Sequence, residues 1–339
     1  MIARSDPEGL NSRPMNEPWR EAYRRAYRHP QELLRDLNLE SLTSTISEAA
    51  DIKFPFRVTR EFASRMVAGD ADDPLLRQVL PVSREAEHTD GFSSDPVGEF
   101  ALVGDNATLR KYHGRALVVT TGACAIHCRY CFRRDFPYSE AVGGHNFRAA
   151  INAIASDTTI EEVILSGGDP LMLDNEVIAN QLLAIDSIDH VQRLRFHSRL
   201  PIVLPQRVDQ NLLEIFESVR AELVVVVHTN HANEIDLPTA DALQRLTGVC
   251  SAVFNQSVLL RGINDSASKL AALSRRLFSC GVVPYYLHQL DRVSGSAHFE
   301  VDDRRAQMIE SELRAQLSGY LVPRLVRETP GANAKLPLV

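Results

Sequence analysis

The sequence lacks a long apolar run, an apolar leader and a surplus of basic residues. Spanning a membrane takes about 18 or more apolar residues, and no segment approaches that length. The opening residues, MIARSDPEGLNSRP, do not have the apolar centre of a secretion signal. A net charge of -7 disfavours nucleic acid as the main partner, because binding phosphates requires a basic face. We therefore expect a cytoplasmic protein that binds neither membranes nor nucleic acid.

Cysteine is scarce, and three of the five cysteines lie within one short segment. Cys124, Cys128 and Cys131 follow an apolar run, and such close spacing in a reducing compartment indicates a metal site rather than disulfides. Three thiolates at these intervals can bind three irons of a [4Fe–4S] cube and leave the fourth iron open. Zinc is the alternative metal, but a structural zinc site needs a fourth ligand, which here would be His127.

The sequence pattern changes along the chain. Up to a polar loop at 88–96, helical segments alternate with proline-bearing stretches, which predicts an N-terminal helical extension over residues 1–100. From about residue 115, short β-branched runs alternate with amphipathic helical segments, which indicates parallel β-α units. An open partial barrel and a doubly wound sheet both fit six such units. The predicted strands are 116–120, 162–166, 194–197, 223–228, 252–256 and 282–287.

Polar residues stand at the end of each predicted strand. Loops at the carboxyl ends of parallel strands build the active face of α/β proteins, so we expect these residues to share one site. The series includes Ser166, Gly167, Gly168 and Asp169 after the second strand, then Ser198, His228 and Gln256 at the next three.

Two sets of motifs resemble known enzymes. The cysteine spacing, with Tyr130 before the last cysteine, resembles that of radical S-adenosylmethionine enzymes, and the segment 166–170 (SGGDP) is similar to their second motif. A narrower resemblance, to lysine 2,3-aminomutases, covers most of the predicted barrel and the tail. It is strongest to the short form that supplies (R)-β-lysine for modification of translation elongation factor P. The segments are 128–134 (CRYCFRR), 197–201 (HSRLP), 231–234 (HANE), 255–261 (NQSVLLR), 285–291 (YYLHQLD), 295–299 (GSAHF) and 318–323 (SGYLVP).

The resemblance implies a fold and three cofactors. The fold is an α/β partial (β/α)6 parallel barrel over residues 101–325, preceded by the helical extension. A C-terminal tail, residues 326–339, would carry the lysine that bonds to pyridoxal 5′-phosphate. The other cofactors are a [4Fe–4S] cluster, bound by the three cysteines, and S-adenosyl-L-methionine, chelated by the open iron of that cluster.

The resemblance also implies roles for single residues. Lys335, in the tail segment TPGANAK, would be the catalytic lysine. The phosphate contacts would be Lys111, Arg115 and Gln256. The S-adenosylmethionine contacts would be Ser166, Gly167, Gly168, Asp169, Ser198 and His228.

The implied substrate is free L-lysine. Arg133 would pair with its carboxylate, a task that suits a planar guanidinium. Asp291 and Glu328 would hold its side-chain ammonium, and two acidic residues disfavour glutamate as the substrate. Glu328 is one methylene longer than the aspartate usual in this family.

The predicted enzyme is a lysine 2,3-aminomutase, an isomerase that moves the amino group of L-α-lysine to the β carbon. It implies an electron donor such as flavodoxin or ferredoxin, a functional link to the elongation factor P lysylation enzyme and a homo-oligomer. Because no cysteine follows Cys280, we expect no zinc-binding tail of the kind that longer relatives carry. The alternatives are a role in secondary metabolism, another amino acid as substrate, a radical enzyme without pyridoxal phosphate, and a non-catalytic metal-binding module.

Overall fold

The computed structural model describes residues 18–100, 108–109 and 112–338, so Lys111 lies outside the described residues. Ser47 and Thr59 each cap a short helix of the N-terminal extension by accepting a hydrogen bond from the backbone N–H three residues later. The helices of this extension are α1 (Pro18–Arg24), α2 (Pro30–Asp36), α3 (Glu48–Lys53) and α4 (Arg60–Ala63). In the described part of the chain, no helix is long and apolar enough to cross a membrane.

Within the described residues, one sheet of nine strands forms the centre of the molecule. They are β1 (Thr108–Leu109), β2 (Arg115–Thr121), β3 (Glu162–Gly167), β4 (Arg193–Ser198), β5 (Glu222–His228), β6 (Ala252–Val258), β7 (Val283–His288), β8 (Arg324–Arg327) and β9 (Leu336–Pro337). The strands follow chain order across the sheet, with β2 to β8 parallel and β1 and β9 antiparallel at the edges. A doubly wound sheet reverses its strand order, so that alternative is excluded and the predicted barrel-type α/β fold is confirmed.

Helices connect the parallel strands. They are α5 (Tyr138–Ala141), α6 (Gly144–Ser156), α7 (Asn175–Asp186), α8 (Leu200–Val203), α9 (Gln210–Glu217), α10 (Leu237–Val249), α11 (Ala267–Ser279) and α12 (Asp303–Gln316). Asp209, Asp236, Ser266 and Asp302 start the last four helices, where each side chain accepts a backbone N–H of the first turn. These caps fix where each helix leaves the loop that follows a strand.

The alternation of side chains along the strands separates the core from the site. In β4, Leu194 and Phe196 are buried in the main hydrophobic core, whereas Arg195 and His197 point to the other face and line a cavity. In β4, therefore, the cavity face carries the polar residues and the core face carries the apolar ones.

The N-terminal extension shares its core with the barrel. Trp19 is fully buried, and the guanidinium carbon of Arg207 from the barrel lies 4.8 Å from the centre of its ring. Leu33 and Leu76 of the extension belong to the same buried cluster as Leu165 of β3. The boundary at residue 100 stays a prediction, because one large buried cluster continues from the extension into the barrel.

Candidate active site

A cavity of about 470 Å³ lies at the carboxyl ends of the parallel strands. Its wall includes residues from β2 to β8, from the loop after β2 and from the C-terminal tail. All the predicted site residues that the structure describes line it: Arg115, Cys124, Cys128, Cys131, Arg133, Ser166, Gly167, Gly168, Asp169, Ser198, His228, Gln256, Asp291, Glu328 and Lys335. The structure thus brings these residues together, while their individual roles stay predictions.

The loop after β2, residues 122–137, carries the three cysteines and is called the cysteine loop below. Its thiols are free, and they lie near enough to one another for Cys128 and Cys131 to raise the pKa of Cys124. Three neighbouring thiolates suit a cluster, in which each thiolate binds its own iron. Burial raises the pKa of Cys131 to about 11 and that of Cys124 well above its usual range. Both thiols are therefore protonated until a metal displaces the proton.

A buried carboxylate of the N-terminal extension fastens the cysteine loop. Glu85 accepts hydrogen bonds from Nε and Nη2 of Arg129, at 2.8 and 2.6 Å, and from Nη2 of Arg134 at 2.9 Å. The Arg129 guanidinium also donates to the carbonyl oxygens of Phe54 and Ala50. All three charged side chains are almost completely buried, so the two arginines depend on Glu85 for their counter-charge.

The turn after β3 approaches the cysteine loop backbone to backbone. The N–H of Gly168 donates to the carbonyl of Thr121 at 2.7 Å, and the N–H of Asp169 donates to that of Ala123 at 2.8 Å. A Cβ atom on Gly168 would lie 2.4 Å from the Ala123 carbonyl oxygen, and Gly167 has a φ of +128°. Only glycine allows this approach, which explains the paired glycines of the motif.

The carboxylate of Asp169 is occupied by four hydrogen bonds. Its Oδ1 accepts from the Ser198 hydroxyl at 2.8 Å and from the N–H of Leu171 at 3.0 Å. Its Oδ2 accepts from the backbone N–H groups of Arg199 and Leu200, at 2.7 and 3.0 Å. This side chain therefore holds the turn after β4 against the turn after β3.

Arg199, directly after β4, contacts the cysteine loop, the N-terminal extension and the segment after β5. Its Nη1 donates to the sulfur of Cys128 and to the Tyr130 hydroxyl in the cysteine loop. Its Nη2 donates to Oε1 of Gln78 at 2.8 Å and to Oε2 of Glu234 at 3.0 Å. The guanidinium is buried, so these partners set its position.

Three histidines of the cavity wall are uncharged. Burial lowers the pKa of His288 to about 3, and it lowers the pKa of His197 and of His228 well below the usual range. The Nε2 of His228 lies 2.9 Å from the Tyr130 hydroxyl. At neutral pH these imidazoles act as neutral hydrogen-bonding groups.

Arg133 is paired with a carboxylate that no local sequence pattern predicts. Its Nε and Nη2 donate to the two oxygens of Glu99, at 2.7 and 3.0 Å, and its Nη1 donates to the Ser166 hydroxyl at 2.9 Å. A guanidinium has five N–H donors, so three are used and two are left for a further acceptor. The predicted pairing of Arg133 with a substrate carboxylate is compatible with these contacts.

Lys335 and Glu328 form an ion pair in the wall of the same cavity. The Nζ of Lys335 contacts Oε2 of Glu328, and the Tyr112 hydroxyl donates to Oε1 of the same carboxylate at 2.5 Å. Lys335 Nζ lies 5.8 Å from the ring centres of Tyr112 and Tyr286. The amine is therefore held between two aromatic rings and a carboxylate.

Arginines concentrate near the ion pair of Lys335 and Glu328. Arg115 has a side chain that is 46% exposed, and its Nε lies 3.7 Å from Glu162. Arg195 pairs with the same carboxylate at 2.5 Å, and Arg324 also lines the wall. With Gln256 close by at the end of β6, this wall offers positive charge and an amide to an anionic group.

Comparison with known proteins identifies the family. Residues 113–193 match the family model "4Fe-4S single cluster domain". L-lysine 2,3-aminomutase of Escherichia coli K12 is 45% identical, with 96% of this chain and 95% of that protein covered. The enzymes of that name from Buchnera aphidicola (44% identical, 94% and 95% covered) and Haemophilus influenzae (43% identical, 90% and 91% covered) are similarly close. The chain belongs to the L-lysine 2,3-aminomutase family.

Membership of the L-lysine 2,3-aminomutase family confirms two predictions from the motifs: the family, and an isomerase as the class of enzyme. Sequence reasoning missed Glu85, Glu99 and Tyr112, since each pairs with a residue far away in the chain. Arg199 and Glu234 could have been found, because both stand inside segments that carried the resemblance to this family.

Proposed function

We propose that the chain converts L-α-lysine into β-lysine, the R isomer, with a [4Fe–4S] cluster, S-adenosylmethionine and pyridoxal phosphate. The main support is one cavity whose wall contains both the three cysteines and Lys335. The relatives named L-lysine 2,3-aminomutase support lysine as the substrate.

Cys124, Cys128 and Cys131 would hold the cluster in the cysteine loop. The three free thiols and the neighbouring guanidinium of Arg199 fit a cube that carries negative charge. The backbone of the glycine turn, with Ser198 and His228, would bind S-adenosylmethionine beside it. When bound, these groups supply an organic radical, and pyridoxal phosphate delocalises the unpaired electron while the amino group moves.

Lys335 would hold pyridoxal phosphate. Its amine is partly buried, and the carboxylate of Glu328 and the rings of Tyr112 and Tyr286 keep it in place. Arg115 and Gln256 would bind the phosphate, together with Lys111 from outside the described residues. The positive wall near β2, β4 and β8 supports this orientation of the cofactor.

Charge at the two ends of the site would orient the substrate. The two unused N–H donors of Arg133 would bind the lysine carboxylate, while Glu99 keeps the guanidinium in position. Asp291 and Glu328 would bind the distant ammonium. Three neutral histidines also line the wall, so these imidazoles add no positive charge that would compete with the substrate amine.

The wider setting is also part of the proposal. The enzyme would act in the cytoplasm and receive electrons from a flavodoxin or ferredoxin, and its product would serve the elongation factor P lysylation enzyme. It would form a homo-oligomer, and its chain would divide into an extension (1–100), a barrel (101–325) and a tail (326–339).

Anaerobic turnover tests the proposed reaction. The protein reconstituted with iron and sulfide is mixed with L-lysine, S-adenosylmethionine, pyridoxal phosphate and a reductant, and the product is resolved by chiral chromatography. We expect (R)-β-lysine from the unaltered protein and from Lys269→Ala, a control that removes a lysine of helix α11 paired with Asp265. Lys335→Ala should abolish β-lysine formation.

The possible results separate the parts of the proposal. Cleavage of S-adenosylmethionine without any change in lysine would reject lysine as the substrate and leave the radical chemistry standing. Undiminished turnover by Lys335→Ala would reject the role of this residue.

A further inference from the structure

We propose that Arg199 sets the reduction potential of the cluster by donating a hydrogen bond to the sulfur of Cys128, an inference that rests on the proposed [4Fe–4S] cluster. Arg199 holds neighbouring parts of the site in position. Its charge also acts directly on Cys128, which we propose binds the cluster. The contact between Nη1 and the Cys128 sulfur is the observation that carries the proposal.

The physical argument concerns the charge that reduction adds. One electron makes the cube and its thiolates more negative, and hydrogen bonds to the sulfurs and nearby net charge set cluster potentials. Guanidinium is always protonated in proteins, and it donates charge-assisted hydrogen bonds. Because Arg199 is buried, its charge is weakly screened by solvent, so it stabilises the reduced cluster and raises the potential.

Glu234 provides the opposing charge. Its carboxylate is fully buried and accepts from Nη2 of Arg199, from Nε2 of Gln78 at 3.1 Å, and from the backbone N–H groups of Asn230 and His231 at 2.9 and 3.0 Å. Three of these four donors are independent of Arg199, so the carboxylate keeps most of its partners when Arg199 changes. Removing the charge of Glu234 leaves the positive charge of the Arg199 guanidinium uncompensated. We therefore expect the reduction potential of the cluster to rise above that of the unaltered protein.

A purely structural role for Arg199 makes a different prediction. The same residue joins Gln78 of the extension, Glu234 after β5 and the cysteine loop, so its loss would lower stability in either case. If Arg199 acts through its charge, neutralising Arg199 and neutralising Glu234 should shift the reduction potential of the cluster in opposite directions. A purely structural role does not predict opposite shifts.

The test is a redox titration of the reconstituted protein, without S-adenosylmethionine, followed by the electron paramagnetic resonance signal of the reduced cluster. In Arg199→Gln, the ratio of reduced to oxidised cluster at the original midpoint should fall about tenfold, which is a shift of about 59 mV to lower potential. Glu234→Gln should shift the midpoint upward. Arg193→Gln is the matched control, because this arginine begins the strand that Arg199 follows but pairs with Glu161 outside the cavity.

Iron and sulfide content is measured for every variant. Unchanged midpoints in Arg199→Gln and Glu234→Gln, at normal cluster content, overturn the proposal. If Arg199→Gln does not retain the cluster, Glu234→Gln decides alone, and a midpoint that does not rise overturns it. A protein that binds no cluster at all overturns the proposed function as well, whereas a normal cluster without these shifts overturns only the role of Arg199.

Discussion

Asp169 shows how burial and hydrogen bonding oppose each other at a single residue. Burial raises the pKa of this carboxyl to about 6, against an ordinary value of 3.8, while the hydrogen bond from Ser198 and those from three backbone N–H groups act in the opposite direction. The folded state therefore holds this proton more tightly than the unfolded chain does. The resulting stabilisation is complete below the unfolded pKa and is lost as the pH rises through about 6.

Ser198→Ala should destabilise the protein more at pH 7.5 than at pH 5. Removing the hydroxyl takes one donor from the Asp169 carboxylate, so the pKa of Asp169 rises further and the charged form becomes more costly. We expect a loss of about 1–3 kcal/mol at the higher pH. Urea unfolding at both pH values measures it, and an equal loss at both would contradict the account. Ser187→Ala, at an exposed serine after α7, serves as the control.

Local spacing predicted the ligand-type residues of the site but not the residues that hold them. The cysteines and the glycine turn lie in short segments whose pattern can be read directly. Arg133 and Glu99 are 34 positions apart, and Tyr112 and Glu328 are 216 apart. Such pairs depend on the strand order of the finished sheet, and a single sequence does not contain that information in any local pattern.

At the scale of elements, the N-terminal extension positions the cysteine loop. Glu85 provides the counter-charge for two arginines of that loop, and the carbonyl oxygens of Arg57 and Gln78 accept backbone hydrogen bonds from it. The loop has no regular secondary structure to fix the spacing of its thiols. The extension therefore supplies the rigidity that a cluster site needs.

Glu85→Gln should destabilise the protein by about 3–5 kcal/mol, because it leaves two buried guanidinium groups with no carboxylate. Glu87→Gln is the matched control, since Glu87 is an exposed neighbour on the same segment. Thermal unfolding and iron content measure the effect, and we expect both to fall only in Glu85→Gln. A stable Glu85→Gln protein with normal iron content would show that the cysteine loop keeps its conformation without the Glu85 carboxylate.

The strands themselves were predictable where they are long and apolar. The six predicted strands correspond to β2 to β7, which bury valine, isoleucine and leucine on the core face. Sequence reasoning missed β1, β8 and β9. The first and last have two residues each, and β8 has four residues of which two are arginine, so none shows a strand pattern. They form only because the neighbouring strand offers a hydrogen-bonding edge.

For the whole molecule, the shared core makes the extension and the barrel one cooperative unit. The buried cluster that contains Leu33 and Leu76 continues through the barrel strands without a break. Neither part could expose its side of this cluster to water without losing most of its hydrophobic stabilisation.

Equilibrium unfolding can test this unity, because Trp19 is the only tryptophan and lies in the extension. Tryptophan fluorescence then reports on the extension, and circular dichroism reports mainly on the helices and strands of the barrel. For protein prepared without cofactors, we expect the two signals to give the same urea midpoint. A fluorescence transition at clearly lower urea would show that the extension unfolds independently.

Lys335 follows all seven parallel strands in chain order. A ribosome adds about 5–20 residues per second, so the cysteine loop is synthesised roughly ten seconds or more before this lysine. A chain interrupted anywhere in between would contain the three cysteines but not the amine that we propose holds the carbonyl cofactor. Translation thus makes the proposed cluster ligands first and the proposed cofactor lysine only after the last parallel strand. Under this proposal a truncated product cannot combine the two parts of the chemistry, so only a chain extended through Lys335 can be active.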